Sequence, residues 1–317
     1  MQQSNEQDIL LEVNDLCQYF VSGHGRHKQV NKAVDHVSFN VRRAETFGLV
    51  GESGCGKTTT GRAIIRLYDP TSGTVFFDGQ ELTGKMNREK RAFLSDNISM
   101  IFQDPIESLN PRMTIGEIVG EALKERKGLS REEIRIKVAD MLRKVGLNEE
   151  HATRYPHEFS GGQRQRIGIA RAMIVEPKMV IADEPVSALD VSIQAQVINL
   201  LNDLKTEMGL TILFIAHNLS VVKYFSDRIG VMYYGHLVEV ARSEDLYLKP
   251  MHPYTRALLS AIPEPNPLTE KKRKRIDYDP ARDHDYSVEQ PSMVEVEPEH
   301  FVLCSASELK AIQEKLG

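Results

Sequence analysis

The run Thr46-Phe47-Gly48-Leu49-Val50, followed at once by Gly51-Glu52-Ser53-Gly54-Cys55-Gly56-Lys57-Thr58-Thr59, constrains this chain more than any other feature. A short apolar run stopped by a glycine loop reads as a buried strand, and Lys57 to Leu67 has a helical pattern, so the unit is strand, loop, helix. The loop matches G-x-x-x-x-G-K-[ST] at Gly51, Gly56, Lys57 and Thr58. By composition alone, roughly one chain in a hundred of this length would carry that pattern, and the strand before and helix after it reduce the accidental reading further. The chemistry follows from geometry. Glycines let successive backbone N–H groups turn inward on phosphate oxygens, and a helix N-terminus adds partial positive charge. Lys57 reaches the β- and γ-phosphates, and the Thr58 hydroxyl binds Mg²⁺. The whole loop, Gly51 through Thr59, is a candidate site for ATP with its Mg²⁺. Cys55 lies beside Lys57 and a helix start, conditions that favour the thiolate, which predicts inhibition by a maleimide with protection by ATP.

The rest of the chain supplies a fold around that loop. "ILLEVNDL" and "AVDHVSFNV" alternate apolar with polar and read as N-terminal antiparallel strands. "SGTVFFDG" and "NISMIFQ" read as further strands, Thr114 to Leu147 as mostly helical and charged. A helix over about 163–174, the strand "MVIADE", a helix over about 192–208 and the strand "LTILFIA" follow, and "RIGVMYYG" with "HLVEVA" makes a short strand pair. Strands alternating with crossover helices imply an α/β core with a mainly parallel sheet. Past Ile262 the chain turns Pro-rich and charged and reads as a linker or extended appendage. Its basic run, Lys271 to Arg275, suits either a solvated linker or anionic headgroups. "ASELKAIQEKL" reads as a short amphipathic helix near the end.

Composition excludes some classes. The longest apolar run, Leu210 to Ala216, is far short of the ~20 residues of a membrane helix, and the polar N-terminus shows no signal core. The net charge of −5 argues against a nucleic-acid partner. Cys17, Cys55 and Cys304 are widely spaced and form no ligand pattern; His24 and His27 lack a third ligand at suitable spacing.

Further residues complete the chemistry. In "MVIADE" an apolar strand ends in Asp183, then Glu184. An acid there faces the ligand crevice at the carboxyl edge of a parallel sheet. Asp183 would hold Mg²⁺ through water, and Glu184 would act as general base on the attacking water. Gln103, read as the end of "NISMIFQ", reaches the metal or that water. His217, after "LTILFIA", would contact the γ-phosphate, or else serve a structural role. Phe20, with Tyr19 as the alternative, would stack on adenine; a core aromatic is the other reading. Finally, "EFSGGQRQR" sets Ser160, Gly161, Gly162 and Gln163 at the mouth of another helix, a second anion site with hydroxyl, exposed N–H groups and helix dipole. One chain hardly needs two distant loops on one γ-phosphate. The second loop is therefore read as serving a neighbouring subunit's nucleotide, two subunits sandwiching two ATP molecules head to tail.

The order of phosphate loop, glutamine, "FSGGQ", "MVIADE", "SALD" and histidine resembles the ATP-binding subunits of ABC transporters, over about residues 9–262. The resemblance implies that Ser160 and Gly162 contact the γ-phosphate held by the opposite subunit, and that Asp190 of "SALD" lies across the dimer interface. "QDPIESLNPRMTIGEIVGEAL", "VSALDVSIQAQVINLL" and "HPYTRALLSAIP" look like the oligopeptide/dipeptide/nickel branch. That branch implies a second, homologous ATPase subunit (a homodimer is the alternative), two transmembrane permease subunits and an extracytoplasmic solute-binding protein. It places the chain peripherally on the cytoplasmic face of the membrane, with 104–123 helping to grip a membrane partner's cytoplasmic helix, or only packing the helical subdomain. On this reading residues 1–262 are the cassette, with a helical subdomain at about 104–175, and 263–317 are a branch-specific extension. Peptides are the implied cargo, with oligosaccharides and metal chelates open; import is the implied direction. Two departures stand out. Only Cys304 remains where many relatives carry a cysteine cluster, which predicts no iron–sulfur cluster, and Asn218 follows the histidine where relatives often have Asp. The rival readings are a soluble ABC ATPase of translation or DNA repair, which would carry twin cassettes or long coiled coils, and a non-catalytic ATP-binding regulator, against which Glu184, Gln103 and His217 argue.

Overall fold

A computed structural model describes residues 8–23, 28–104, 108–124, 128–262, 275–284, 286 and 288–316. His24, His27, residues 105–107 and the basic run as far as Lys274 lie outside the described residues. In chain order the strands are β1 (Ile9–Ser22), β2 (Gln29–Arg42), β3 (Thr46–Val50), β4 (Ser72–Phe77), β5 (Gln80–Glu81), β6 (Ile98–Ile101), β7 (Met179–Asp183), β8 (Thr211–Ala216), β9 (Arg228–Tyr233), β10 (His236–Arg242), β11 (Ser292–Glu297) and β12 (His300–Cys304). The helices are α1 (Lys57–Ile64), α2 (Arg88–Asn97), α3 (Ile115–Lys124), α4 (Arg131–Lys144), α5 (Gly161–Met173), α6 (Val191–Met208), α7 (Leu219–Phe225), α8 (Ser243–Leu248), α9 (Pro253–Ser260), α10 (Pro280–Asp283) and α11 (Ala306–Leu316). The chain divides into two compact units, one of Met1–Leu11, Val41–Glu45 and Phe77–Ile215, the other of Glu12–Asn40, Thr46–Phe76 and Ala216–Gly317.

The first unit is built on three parallel strands in the order β6-β7-β8, with Ile98 opposite Met179 and Val180 opposite Ile212. Every residue of β7 and β8 is buried, which is why both read as mostly apolar runs rather than alternating ones. Helix α3 buries Ile115, Ile118, Val119 and Leu123, a helical stripe of i, i+3, i+4, i+8. Helix α4 starts at a capping box in which Ser130 and Glu133 satisfy each other's backbone N–H groups. Helix α2 has no counterpart among the sequence expectations, because none of its residues is buried and it carries no apolar stripe; Asn87 caps it.

The second unit carries the order β11-β12-β10-β9-β3. Strands β3 and β9 run parallel, β9–β10, β10–β12 and β12–β11 antiparallel. Strands β1, β2 and β4 form the antiparallel β-subdomain expected at the N-terminus. The hairpin β11–β12 is an addition to the expected layout. It places two strands beside β10 and closes a small apolar cluster of Met251, Val302 and Cys304, with Val294, Leu309 and Ile312 against it. Among the described residues no helix is long and apolar enough to cross a membrane.

Candidate functional site

The predicted residues fall into two groups, one on each unit. On the second unit, β3 ends at Val50 and the phosphate loop runs into α1. Gly51, Gly54 and Gly56 have φ of 153°, 82° and 109°, a backbone only glycine adopts without strain. A Cβ on Gly51 or Gly56 would also overlap the carbonyl of Met232 or Ala33, whereas Gly54 faces open space. The Lys57 ammonium is buried and held by the carbonyl oxygens of Gly51 and Glu52, each at 2.8 Å. The loop thus wraps its own lysine, leaving Glu52, Ser53 and Gly54 exposed while Thr58 and Thr59 open the helix half-buried. A nest of turned backbone amides with a cation at its centre suits a polyphosphate.

Cys55 corrects an expectation. Its thiol is 5% exposed, and burial pushes its pKa up, against the pull of Lys57. The thiolate is therefore not favoured. The lysine lowers the pKa as anticipated, but desolvation of the charged form is the larger effect.

His217 immediately follows β8 and is exposed. Phe20 is 37% exposed and meets Tyr68 edge-on at 5.3 Å. Tyr19 instead donates its hydroxyl to Asp35, a buried carboxylate also held by Lys32 at 3.1 Å. Burial works against the Asp35 charge, but these partners outweigh it and lower the pKa. The Tyr19 hydroxyl is thus engaged within the protein, and the Phe20 ring is the more exposed of the two. Cys17, Asp35 and His36 place donor atoms within 4.8 Å of one another, but Asp35 already has these protein partners.

On the first unit, Asp183 is the last residue of β7 and wholly buried. Glu184 follows with φ 46°, a left-handed conformation uncommon for a non-glycine residue. Its N–H donates to the Ile215 carbonyl at 2.9 Å, which fixes the turn that throws the side chain off the strand end. The Gln103 amide donates to the Glu184 carboxylate at 3.1 Å. Gln103 lies two residues beyond the end of β6, in an exposed bend, rather than on the strand itself. Arg171 of α5 stacks on Phe102, next to Gln103, and donates to the Ser108 carbonyl.

The second glycine pair opens α5. Ser160 caps the helix, its hydroxyl accepting from the Gln163 N–H at 3.4 Å while the Gln163 side chain accepts from the Ser160 N–H at 3.0 Å. Ser160 and Gly161 are exposed. A Cβ on Gly162 would lie 2.8 Å from a methyl of Ile193 on α6, so close packing of the two helix starts demands glycine there. Asp190 is the exposed N-cap residue of α6, with no side-chain capping bond.

The donor set fits Mg²⁺ in kind. Thr58 offers a hydroxyl, Asp183 a carboxylate and Gln103 an amide oxygen, all hard oxygen donors.

Two family models match the chain: ABC transporter over residues 34–187, and the C-terminal region of oligopeptide/dipeptide transporters over residues 238–287. An oligopeptide transport ATP-binding protein of Bacillus subtilis is 56% identical over 95% of this chain and 98% of its own length. A dipeptide transport ATP-binding protein of Lactococcus lactis is 52% identical over 94% and 95% respectively. A solved dimeric ATP-binding cassette, in a post-hydrolysis state with ADP and phosphate, superposes with a TM-score of 0.66 at 29% identity, covering 74% of this chain and 99% of its own.

Proposed function

This chain belongs to the ATP-binding proteins of the ABC transporters, in their oligopeptide/dipeptide branch, and from that premise we propose that it hydrolyses ATP to power uptake of oligopeptides or dipeptides through partner membrane subunits. The observation that carries the reading is the Gln103–Glu184 hydrogen bond, directly after a buried Asp183 at a strand end. It presents a carboxylate, aimed by a strained backbone and steadied by an amide, in a chain that also holds a phosphate loop.

Each residue then has a role. Lys57 exchanges the Gly51 and Glu52 carbonyls for phosphate oxygens. The loop amides from Ser53 to Thr59 orient the triphosphate, and Phe20 stacks on the adenine. Thr58, Asp183 and Gln103 would hold Mg²⁺, which would supply charge neutralisation at the phosphates. Glu184 takes the proton of the attacking water, Gln103 keeps its carboxylate in place, and His217 contacts the γ-phosphate. Ser160, Gly161, Gly162 and Gln163 serve the nucleotide of a second ATPase subunit, and Asp190 lies at that interface. ATP so shared favours the closed pair, and hydrolysis removes the shared anchor, a two-state switch driven by differential affinity.

The partners proposed are a second ATPase subunit, homologous or identical, two transmembrane permeases, and indirectly a solute-binding protein outside the membrane. The chain would sit peripherally on the cytoplasmic face. A groove of about 930 Å³ beside α3 and α4, lined by Thr114, Glu117, Ile134 and Val138 among others, supports a docking role for the helical segment. A soluble translation or repair ATPase is disfavoured by relatives named for transport. The test is ATP-dependent phosphate release by the chain assembled with its permeases in vesicles, with and without a binding protein loaded with peptide. Release that is stimulated by loaded binding protein and lost in Lys57→Ala is expected. Release unaffected by Lys57→Ala would refute the site.

A further inference from the structure

The segment His252-Pro253-Tyr254 lies about two hundred residues after the phosphate loop, yet the two are joined by a hydrogen bond. The Glu52 N–H donates to the Tyr254 hydroxyl at 3.2 Å. The carbonyl of the same Glu52 accepts from Lys57 at 2.8 Å. One residue of the loop is therefore pinned on both sides, by the lysine within and by a tyrosine from outside. A second tie lies close by, where the Gly235 N–H donates to the Cys55 carbonyl at 2.9 Å.

Tyr254 is itself rigidly placed. It is 2% exposed, and its ring packs on Tyr233 at 4.4 Å and Tyr278 at 5.4 Å between centroids. It stands in the first turn of α9, where Pro253 is pre-set for a helix start and the His252 ring accepts from the Tyr254 N–H at 3.1 Å. The chain just before it hangs on one buried carboxylate. Glu239 of β10, wholly buried, accepts from the N–H groups of Met251 at 2.8 Å and His252 at 3.0 Å. His300 of β12, also buried, bonds the same carboxylate at 2.7 Å. A continuous series of polar contacts thus runs from the C-terminal hairpin through Glu239 and the α9 start to the phosphate loop.

We propose that Tyr254 is a positioning residue for ATP, its hydroxyl holding the Glu52 peptide so that the following loop amides keep their phosphate-binding orientation, with Glu239 and His300 holding Tyr254 in turn. This rests on the phosphate-loop reading above. The His252–Tyr254 segment and the C-terminal hairpin then act together and brace the nucleotide site from behind. The loop amides that would meet phosphate lie immediately after Glu52, and backbone preorganisation is what such a loop contributes to affinity. Losing one hydrogen bond of this kind predicts a several-fold effect rather than abolition.

The experiment titrates the full-length chain with a fluorescent ATP analogue and Mg²⁺, comparing wild type, Tyr254→Phe, Glu239→Gln and Lys57→Ala, with a thermal melt of each protein alone. Tyr254→Phe keeps the ring and deletes only the hydroxyl. It is expected to raise Kd for the analogue about 3- to 10-fold while its melting temperature in the absence of nucleotide stays within about 2 °C of wild type, a combination that general loosening would not give. Glu239→Gln is expected to raise Kd in the same direction. If Lys57→Ala abolishes binding but Tyr254→Phe binds like wild type, the bracing role is overturned and the phosphate-loop reading stands. If Lys57→Ala binds like wild type, the phosphate-loop reading falls, and the bracing role with it.

Discussion

Replacing Glu239 tests the polar link that joins β10 to the start of α9 and to the C-terminal hairpin. The carboxylate is wholly buried and accepts three hydrogen bonds, from Met251, His252 and His300. Glu239→Leu fills similar space but leaves three buried donors without an acceptor. Each stranded donor costs about 1–3 kcal/mol. Part of the sum is returned because a buried charge no longer needs desolvating, so a net loss of about 3–5 kcal/mol is expected. Glu239→Gln is milder. Its amide oxygen can keep the bonds on one side, but its NH₂ group then confronts the His252 N–H or the donors of Met251 and His300, costing about 1–3 kcal/mol. The chain has no tryptophan and 10 tyrosines. Urea unfolding can therefore be followed by tyrosine fluorescence, to which the clustered Tyr233, Tyr254 and Tyr278 contribute. With a slope near ~3 kcal/mol/M, Glu239→Leu should lower the midpoint by about 1–1.7 M and Glu239→Gln by less. A Glu239→Leu midpoint within about 0.3 M of wild type would show that the three donors find other partners at no cost, and the reasoning would fail.

Glu184→Gln should retain ATP binding and lose turnover by about 10²-fold or more, the scale of a lost general base; normal phosphate release by the assembled variant would remove Glu184 from that role. Cys55, buried and with its pKa pushed up, should react with a maleimide at about pH 7 at least about tenfold more slowly than a free thiol such as glutathione, and rapid modification at Cys55 seen by mass spectrometry would contradict the packing. His252 has its pKa lowered to about 3, by burial first and then by His284 and Arg256. The unfolded chain takes up a proton near the ordinary histidine value of about 6.5 that the folded chain refuses, so stability should be full above that pH. It should then fall as pH drops towards about 3, by at most about 1.4 kcal/mol per unit. Urea midpoints from about pH 7.5 to about pH 5 for wild type and His252→Asn test this, and identical pH dependence would exclude His252 as the cause.

The nucleotide chemistry is largely legible in the sequence because it is written in contiguous runs. A phosphate loop needs glycines at fixed offsets, and a strand ending in an acid pair announces its own direction. The parallel strands are legible too, since burial on both faces leaves nothing but apolar residues in most of β7 and β8. What escapes is non-local or unpatterned. The hairpin β11–β12 holds only short strands, interrupted by a register shift between Glu295 and Glu297, and pairs with β10 some sixty residues upstream. Helix α2 is without a buried residue and offers only its cap as a signal. Gln103 reads as part of a strand, but the strand stops two residues earlier. The bond from Tyr19 to Asp35 crosses the sheet, a partner no local reading supplies. The thiol at Cys55 shows the same gap: charged neighbours are visible in sequence, and burial at a loop is not.

The left-handed backbone at Glu184 has an evolutionary corollary. A side-chain-bearing residue there gives up about 1 kcal/mol or more that glycine would recover. On the proposed role of Glu184, screens that reward heat resistance alone should drift toward glycine or asparagine at this site and lose turnover. Under that role durability and turnover pull in opposite directions at a single dihedral angle, and hardening this ATPase is better sought elsewhere in the chain.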